Sequence, residues 1–423
     1  MKVKSIHIFG GGTVEHITNH FAICAPAYGH TTRILTGLCD SKFPDCYVYD
    51  HLTKMADSGY SSLDTNEDIQ NKINELKANP NTKIIFFSCA LVDWKIHNGF
   101  AENNGELLPL GLHLGKHEIR LDSKNLKQVV IKFLPSEKII KSIRYGRKDI
   151  FLIGFKTTCG SSKQEMFEKG LRLCKEGSAN LVLVNDVQTR WNMIVTPEEA
   201  AYHETENRNE VLKNLVDMTY QRSQLTFTQS TVVQGTPVSW NDDKVPESLR
   251  KVVNHCIANK AYKVFNGVTV GHFATKLSDT EFLTSIRKSN LNDLDKIGLV
   301  YVKTDGPDTV LAYGAKPSVG GQSQRIVFKD HPGFDCIVHF HSPLKENHPD
   351  DIPIRSQRDV ECGSHECGKN TSDGLKQFGN LKAVMLDKHG PNIIFNKSID
   401  PNEVIKFIDT NFDLEKKTGG YNI

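Results

Sequence analysis

The sequence predicts an α/β fold in two domains, the first of them a doubly wound, Rossmann-like parallel sheet. Three observations carry this expectation. The chain has 423 residues, more than one hydrophobic core usually organises. Its first half alternates short apolar runs with segments of helical spacing, which is the pattern of strands joined by crossover helices and so of parallel pairing. Between residues 221 and 245 the alternation gives way to a polar, β-leaning stretch, and a more β-rich pattern follows.

In chain order, residues 5–9 read as a buried strand, followed by Gly10-Gly11-Gly12-Thr13 as a turn. Residues 83–89 (KIIFFSC), 150–155 (IFLIGF) and 181–184 (LVLV) read as further buried strands. Apolar positions at helical spacing predict helices over 137–144 and 163–175. The stretch 221–245 suits a linker or a final edge strand. A helix over 246–262 begins with Pro246, a residue tolerated in a first turn. Strands are expected at 264–270, 297–303, 310–313 and 336–341, and a last helix at 401–412. The expected division is therefore 1–225, a linker at 226–245, and a second α+β or α/β domain at 246–423.

Composition narrows the function classes. Hydrophobic residues make up 38% and charged residues 24%, as in globular chains, and the formal charge of +2 offers no broad footprint for nucleic acid or a membrane surface. No stretch approaches the ~20 apolar residues that span a bilayer, and the N-terminus runs into a strand rather than a signal sequence. The ten cysteines are scattered, with Cys89 and Cys336 inside apolar runs, the usage of reduced thiols. A cytoplasmic protein acting on small molecules is expected.

Glycines directly after a strand let the backbone approach an anion, so Gly10, Gly11, Gly12 and Thr13 form either a phosphate-cradling turn or an ordinary tight one. Asp93, Lys156, Asn185 and Asp186 fall at or just beyond the ends of later strands. Each alone suits a cap or turn. Together they would converge where open parallel sheets bind ligands. The segments GGGT…ITN, CALVDWK, FLPSEKII, LIGFKT and NLVLVNDV occur in the order seen in phosphopantothenoylcysteine synthetase (phosphopantothenate–cysteine ligase), which residues 1–220 resemble. That resemblance implies a step in coenzyme A biosynthesis: activation of a carboxylate with CTP or ATP (with Mg2+) as an acyl-nucleotide, then capture by the amine of cysteine. It implies Gly10–Thr13 near the phosphates, Asn19 at the acyl-intermediate step, Ala90 and Asp93 on the nucleotide, and Phe155, Lys156, Asn185 and Asp186 framing the pocket. The chain departs from the family after Asn19, where His20-Phe-Ala-Ile-Cys-Ala25 replaces a Ser-Ser-Gly-Lys run. Lys116, Arg120 and Lys124 are candidates for the family's mobile basic loop.

In the second half, His339 and His341 sit at i and i+2 in an apolar strand before a proline turn, so both imidazoles can face one ion. His389, in Leu386-Asp-Lys-His-Gly390, follows another apolar run. Three neutral imidazoles with an open position make a catalytic-type zinc site. HPGFDCIVHFHSPL and AVMLDKHGPNIIF are similar to motifs of the class II aldolase/adducin family, and the resemblance spans about 246–415. It implies an α/β domain around a mainly antiparallel sheet, and a Zn2+ site where a metal-stabilised enediolate forms during C–C cleavage or epimerisation. Adducin itself is a non-enzymatic scaffold. The family's acidic residue would fall near Gly320-Gly321-Gln322, where no carboxylate stands, and His272 replaces an expected Asn. Glu361, Glu366 and Asp373 are candidate substitute acids. Cys362, His365 and Cys367 suit either a glycine-rich active-site loop or a second small metal site. Both families form oligomers, so a homo-oligomer is implied. The combined expectation is a bifunctional ligase-like and lyase-like enzyme; the alternative is a binding or scaffold protein with one or neither site active.

Overall fold

The computed structural model describes residues 4–57, 59–103, 106–109, 114–118, 121, 124 and 128–423. The chain divides into two compact units, Met1–Pro197 with His203–Tyr220, and Glu198–Tyr202 with Gln221–Ile423.

The first unit is organised by a seven-stranded sheet. Its strands are β1 (Lys4–Gly10), β2 (Cys46–Leu52), β3 (Thr82–Phe87), β4 (Phe151–Thr158), β5 (Leu181–Asp186), β6 (Asn192–Val195) and β7 (Ala201–Thr205), in the order β7-β6-β5-β4-β3-β1-β2. β2, β1, β3, β4 and β5 pair in parallel, and β6 runs antiparallel to β5. β1 is buried from Ser5 onward on both faces, which is why it reads as an unbroken apolar run. The helices are α1 (His30–Lys42), α2 (Asn66–Ala78), the single turn α3 (Ile140–Ile143), α4 (Lys163–Gly177) and α5 (Arg208–Arg222). Capping boxes start two of them: Thr65 with Asp68 at α2, and Ser162 with Glu165 at α4. The expected helix over 137–144 contracts to α3, whose buried Ile140 and Ile143 account for the apolar spacing.

The second unit holds a ten-stranded, mainly antiparallel sheet. Its strands are β8 (Gln229–Val233), β9 (His272–Lys276), β10 (Glu281–Ser285), β11 (Leu299–Thr304), β12 (Thr309–Tyr313), β13 (Cys336–His339), β14 (Ile354–Arg355), β15 (Lys376–Phe378), β16 (Leu381–Leu386) and β17 (Gly390–Phe395). The order is β8-β12-β11-β10-β9-β13-β17-β16-β14, with β15 also on β16. β8 lies in the stretch read as linker or edge strand, and it pairs in parallel with β12 at the sheet edge. The expected strand over 264–270 is instead a tight hairpin, Val264–Phe265 with Val268–Thr269, turned by Asn266 and Gly267 at positive φ. Helices α6 (Glu247–Ala258), α7 (Leu294–Ile297), α8 (Val319–Asp330), α9 (His365–Gly374) and α10 (Pro401–Asn411) complete the unit. One core packs Leu249, Val252, Phe273, Val338, Ile393, Phe395 and Ile408; a second packs Val300, Val302, Val327, Ile337 and Ile394. Among the described residues, no helix is long and apolar enough to cross a membrane.

Gly390 opens β17 at φ +148°, and a Cβ there would lie 2.0 Å from the Phe340 carbonyl oxygen. Gly390→Ala is therefore expected to destabilise the second unit by about 1–3 kcal/mol, the usual cost of overpacking. A urea unfolding midpoint unchanged from wild type would contradict this account of the close approach.

Candidate metal centre

Three neighbouring strands bring polar side chains to one end of the second sheet. His272 opens β9 directly opposite His339, the last residue of β13, and His339 in turn faces Asn392 of β17. His341 lies two residues beyond β13, and His389 occupies the turn between β16 and β17. The three rings of His339, His341 and His389 meet with centroid separations of 5.0, 4.6 and 4.6 Å. All three are buried, and each offers a ligand atom within 4.8 Å of the others. Among the described residues, this is the one such cluster of metal-ligand side chains. The C-terminal tail braces it: Thr418 donates from its amide to His341 O (3.1 Å) and from its hydroxyl to His389 O (2.8 Å).

The protons on these rings are set by their neighbours. His339 Nδ1 lies 2.8 Å from the Pro391 carbonyl, which can only accept, so Nδ1 donates and Nε2 keeps a lone pair. Glu199 Oε2 lies 2.9 Å from His341 Nδ1, close enough for an ion pair though not aligned as a hydrogen bond. That carboxylate favours the proton on Nδ1 and leaves His341 Nε2 as the second lone pair. The two Nε2 atoms are 3.1 Å apart. Ligand nitrogens on a tetrahedral zinc ion, with bonds of 2.0–2.1 Å, stand about 3.4 Å apart. His389 Nδ1 is buried with no hydrogen-bond partner among the described residues. A buried ring nitrogen without a partner, on a ring packed against those of His339 and His341, fits a site that could hold a cation. Burial pushes His339 and His389 well below the usual imidazole range, helped at His339 by His389, His272 and His341 and at His389 by His341 and His272. His272 is pushed down to about 3 by burial, with His341 adding to it. Its Nδ1 accepts from the Gln324 amide.

Glu199, only 2% exposed, is the carboxylate that sequence reasoning did not find. It arrives from the short segment Glu198–Tyr202, which belongs to the second unit although it precedes β8 by some distance in the chain. Its backbone carbonyl accepts from Lys417 Nζ at 2.6 Å. The adjacent Glu198 forms a fully buried ion pair with Arg222 at 3.2 Å and accepts from the Cys362 amide at 2.8 Å. Nothing local in Thr196-Pro-Glu-Glu-Ala200 marks these two acids; only long-range packing does.

The expected substitute acids are placed elsewhere. Glu366 accepts from the Thr226 amide and hydroxyl, Asp373 pairs with Lys369 at 2.9 Å on α9, and Glu361 sits partly buried in the preceding loop. None of the three lines the small cavity beside the triad, of about 10 Å3, whose wall includes His272, His339, His389, Cys362, Cys367 and Asn392. His365 is engaged by Thr228 (2.8 Å) and faces Asp308 (3.6 Å), so it is not gathered with the two thiols into a second metal cluster. Gly320 and Gln322 begin α8.

In the first unit, the strand order reverses between β1 and β3, and Gly10–Thr13 and Ala90 lie beside one another there. The amides of Gly12 and Thr13 donate to Ala27 O (2.9 Å) and Ala90 O (3.0 Å), and Ala90 N donates to Gly11 O. The Thr13 hydroxyl donates to Asn66 Oδ1 and accepts from Val92 N. A Cβ on Gly12 would stand 1.9 Å from the Ala25 carbonyl oxygen. The glycine-rich turn is thus packed and internally bonded, with those two amides already engaged. Asp186 is likewise engaged, accepting from the amides of Gly160, Ser161, Gln188 and Thr189, which hold its carboxyl far below the usual range. Asp93 is exposed and paired with Lys138 (2.5 Å), while Asn19 is exposed and accepts from His20. Half-buried Phe155 and exposed Lys156 lie on β4, where Lys156 is beside Val184 and Thr157 beside Asn185 at the carboxyl ends of β4 and β5. Lys116 pairs with Asp64 (2.7 Å), Lys124 is exposed, and Arg120 lies outside the described residues.

Solved structures similar to this chain fall into two groups. The DNA/pantothenate metabolism flavoprotein from Streptococcus pneumoniae matches 51% of this chain and 97% of its own, at 17% identity and a TM-score of 0.39. The C-terminal domain of the coenzyme A biosynthesis bifunctional protein CoaBC matches 52% of this chain and 95% of its own, at 13% identity and 0.37. L-fuculose 1-phosphate aldolase matches 38% of this chain and 82% of its own, at 14% identity and 0.30. No protein-family model matches, and no curated protein does.

Proposed function

We propose that the second unit is a metal-dependent lyase- or isomerase-type domain carrying one divalent ion, with zinc as the preferred metal, on His339, His341 and His389. The observation that carries this reading is that three buried imidazoles each bring a ligand atom within 4.8 Å of the others, with the Nε2 atoms of His339 and His341 3.1 Å apart. When bound, the ion supplies a Lewis acid that polarises a carbonyl oxygen. The chain's own groups hold that position: Pro391 O fixes the His339 tautomer, and Glu199 orients His341 and raises its basicity, as carboxylates behind ligand histidines do. The first unit, on this reading, is a carboxylate–amine ligase-like domain that takes CTP or ATP with Mg2+ near Lys156 and Asn185, and the protein works as a homo-oligomer. A second reading, a binding or scaffold protein without turnover, is favoured by the cavity, which in this conformation has room for about one water and no carboxylate in its wall.

Elemental analysis of the purified chain tests the metal reading: one divalent ion per chain is expected, lost in His339→Ala and in His389→Ala. A wild type that neither contains nor takes up zinc, cobalt or manganese would remove it. Glu199→Ala should retain the fold and weaken zinc affinity about 10–100-fold; undiminished affinity would deny Glu199 its orienting role. For the first unit, calorimetric titration with Mg-CTP and Mg-ATP should show binding that Lys156→Ala weakens by roughly tenfold, the loss of one charge-assisted hydrogen bond. Equal binding by that variant would place the nucleotide elsewhere.

The neutral imidazoles also set a pH dependence. His272 is held at about 3, and His339 and His389 are held well below 6.5, whereas the unfolded chain titrates them near 6.5. Below that value the unfolded state binds more protons than the folded one. The metal-free protein should therefore keep its full stability above about pH 6.5 and lose it as pH falls toward about 3. His7 and His51 of the first unit, lowered by burial to about 4 and about 3, act in the same direction. Urea midpoints of chelator-treated protein from about pH 7 to about pH 4 check this, and a flat profile would mean these rings are not buried neutral.

A further inference from the structure

Two thiols stand in the wall of the triad cavity and have no part in holding the ion. Cys362 and Cys367 bracket the start of α9, separated by Gly363-Ser364-His365-Glu366. Both line the same cavity, of about 10 Å3. Cys367 is buried at the third position of a ten-residue helix, its amide accepted by the Ser364 hydroxyl at 3.0 Å. The Gln357 side-chain amide donates to Cys367 Sγ at 3.3 Å. Cys362, the partly exposed member, is anchored through its amide to Glu198 Oε1 at 2.8 Å, and Arg222 holds that carboxylate in place.

This arrangement favours an anion on one sulfur only. The neighbouring Cys362 thiol lowers the Cys367 thiol, with the Gln357 and Gly363 amides assisting against burial, while the same proximity and burial raise Cys362. The helix N-terminus adds to the preference. A stabilised thiolate next to a second thiol is the chemistry of a sulfenic acid former with its resolving partner.

We propose that Cys362 and Cys367 are a reversible, peroxide-responsive modification site in the wall of the histidine cavity. The Cys367 thiolate attacks one oxygen of hydrogen peroxide; the O–O bond breaks, the departing hydroxide takes up a proton to leave as water, and Cys367 becomes a sulfenic acid. The Cys362 sulfur then attacks Cys367 Sγ. Its proton and the sulfenic hydroxyl leave together as a second water, and the disulfide closes. In sum, two thiols and one peroxide give one disulfide and two waters, with two electrons passing from sulfur to oxygen. This step does not depend on the ion.

The test uses the full-length, reduced, chelator-treated protein and hydrogen peroxide. Trypsin cleavage after Arg358 and Lys369 puts both cysteines, and no others, in one peptide, residues 359–369. Wild type should lose two hydrogen masses in that peptide, recovered with dithiothreitol, at a rate on the order of tenfold above that of the exposed Cys24 and Cys159. Cys362→Ser should stop at a sulfenic acid on Cys367 that dimedone traps, and Gln357→Leu should slow its formation severalfold. Thermal melting of both variants near the wild-type temperature separates lost chemistry from lost fold. The proposal is overturned if Cys24 and Cys159 oxidise while the 359–369 peptide keeps both thiols, or if dimedone labels Cys362 in Cys367→Ser as fast as it labels Cys367 in Cys362→Ser.

Discussion

The hydrogen bond from His339 Nδ1 to the carbonyl of Pro391 determines which nitrogen of that ring is left to do chemistry. Pro391 lies in β17, hydrogen-bonded beside β13, so the bond is tied to the sheet rather than to a loop. With Nδ1 committed, Nε2 keeps its lone pair 3.1 Å from His341 Nε2, and the Glu199 carboxylate, 2.9 Å from His341 Nδ1, favours a proton on that nitrogen. A charged imidazole taken out of water costs several kcal/mol, so burial keeps the rings neutral. Three neutral imidazoles gathered this closely are the donor set that a divalent cation would take.

The fold supplies this arrangement through close strand packing. Gly390 lets β17 start against the backbone at Phe340, and this places His389 in a turn directly over the end of β13. Thr418 then ties the carbonyls of His341 and His389 together. Three ligands from two well-separated stretches of chain are thus positioned by backbone contacts, and their side chains need few rotameric choices to meet. This is the arrangement expected where geometry matters more than flexibility.

The three histidines were legible in the sequence because each carried local context: a His-x-His at the end of an apolar strand, and a His-Gly after another. Strand alternation likewise announced the parallel sheet of the first unit and its buried strands. Glu199 was not legible. It lies 142 positions before His341, in a stretch whose only distinction is two adjacent acids between Pro197 and Ala200. The acids nearer the triad in sequence, Glu366 and Asp373 on α9, satisfy a loop amide and a lysine instead. The glycine turn shows a different limit. A phosphate cradle and a tight packed turn both need glycine, for backbone approach in one case and for lack of room in the other, and composition alone does not separate them. Here the Gly12 amide is bonded to the Ala27 carbonyl, and the Ala25 carbonyl leaves no room for a Cβ.

The two buried glutamates argue further about charge. Glu198 is neutralised by Arg222, a guanidinium with no exposed surface that also donates to the carbonyls of Arg358 and Gln357. Its neighbour Glu199 faces an imidazole instead, and a neutral imidazole is a weak counterion for a carboxylate at 2% exposure. A dication held by the triad would change the balance: it would make Nδ1–H a stronger donor and give the carboxylate a net positive group to face. Side by side in the chain, one acid is thus paired with arginine, while the other faces a ring of the triad. With an ion in place, Glu199 and the triad would each strengthen the other's hold on His341, because both act on the same imidazole.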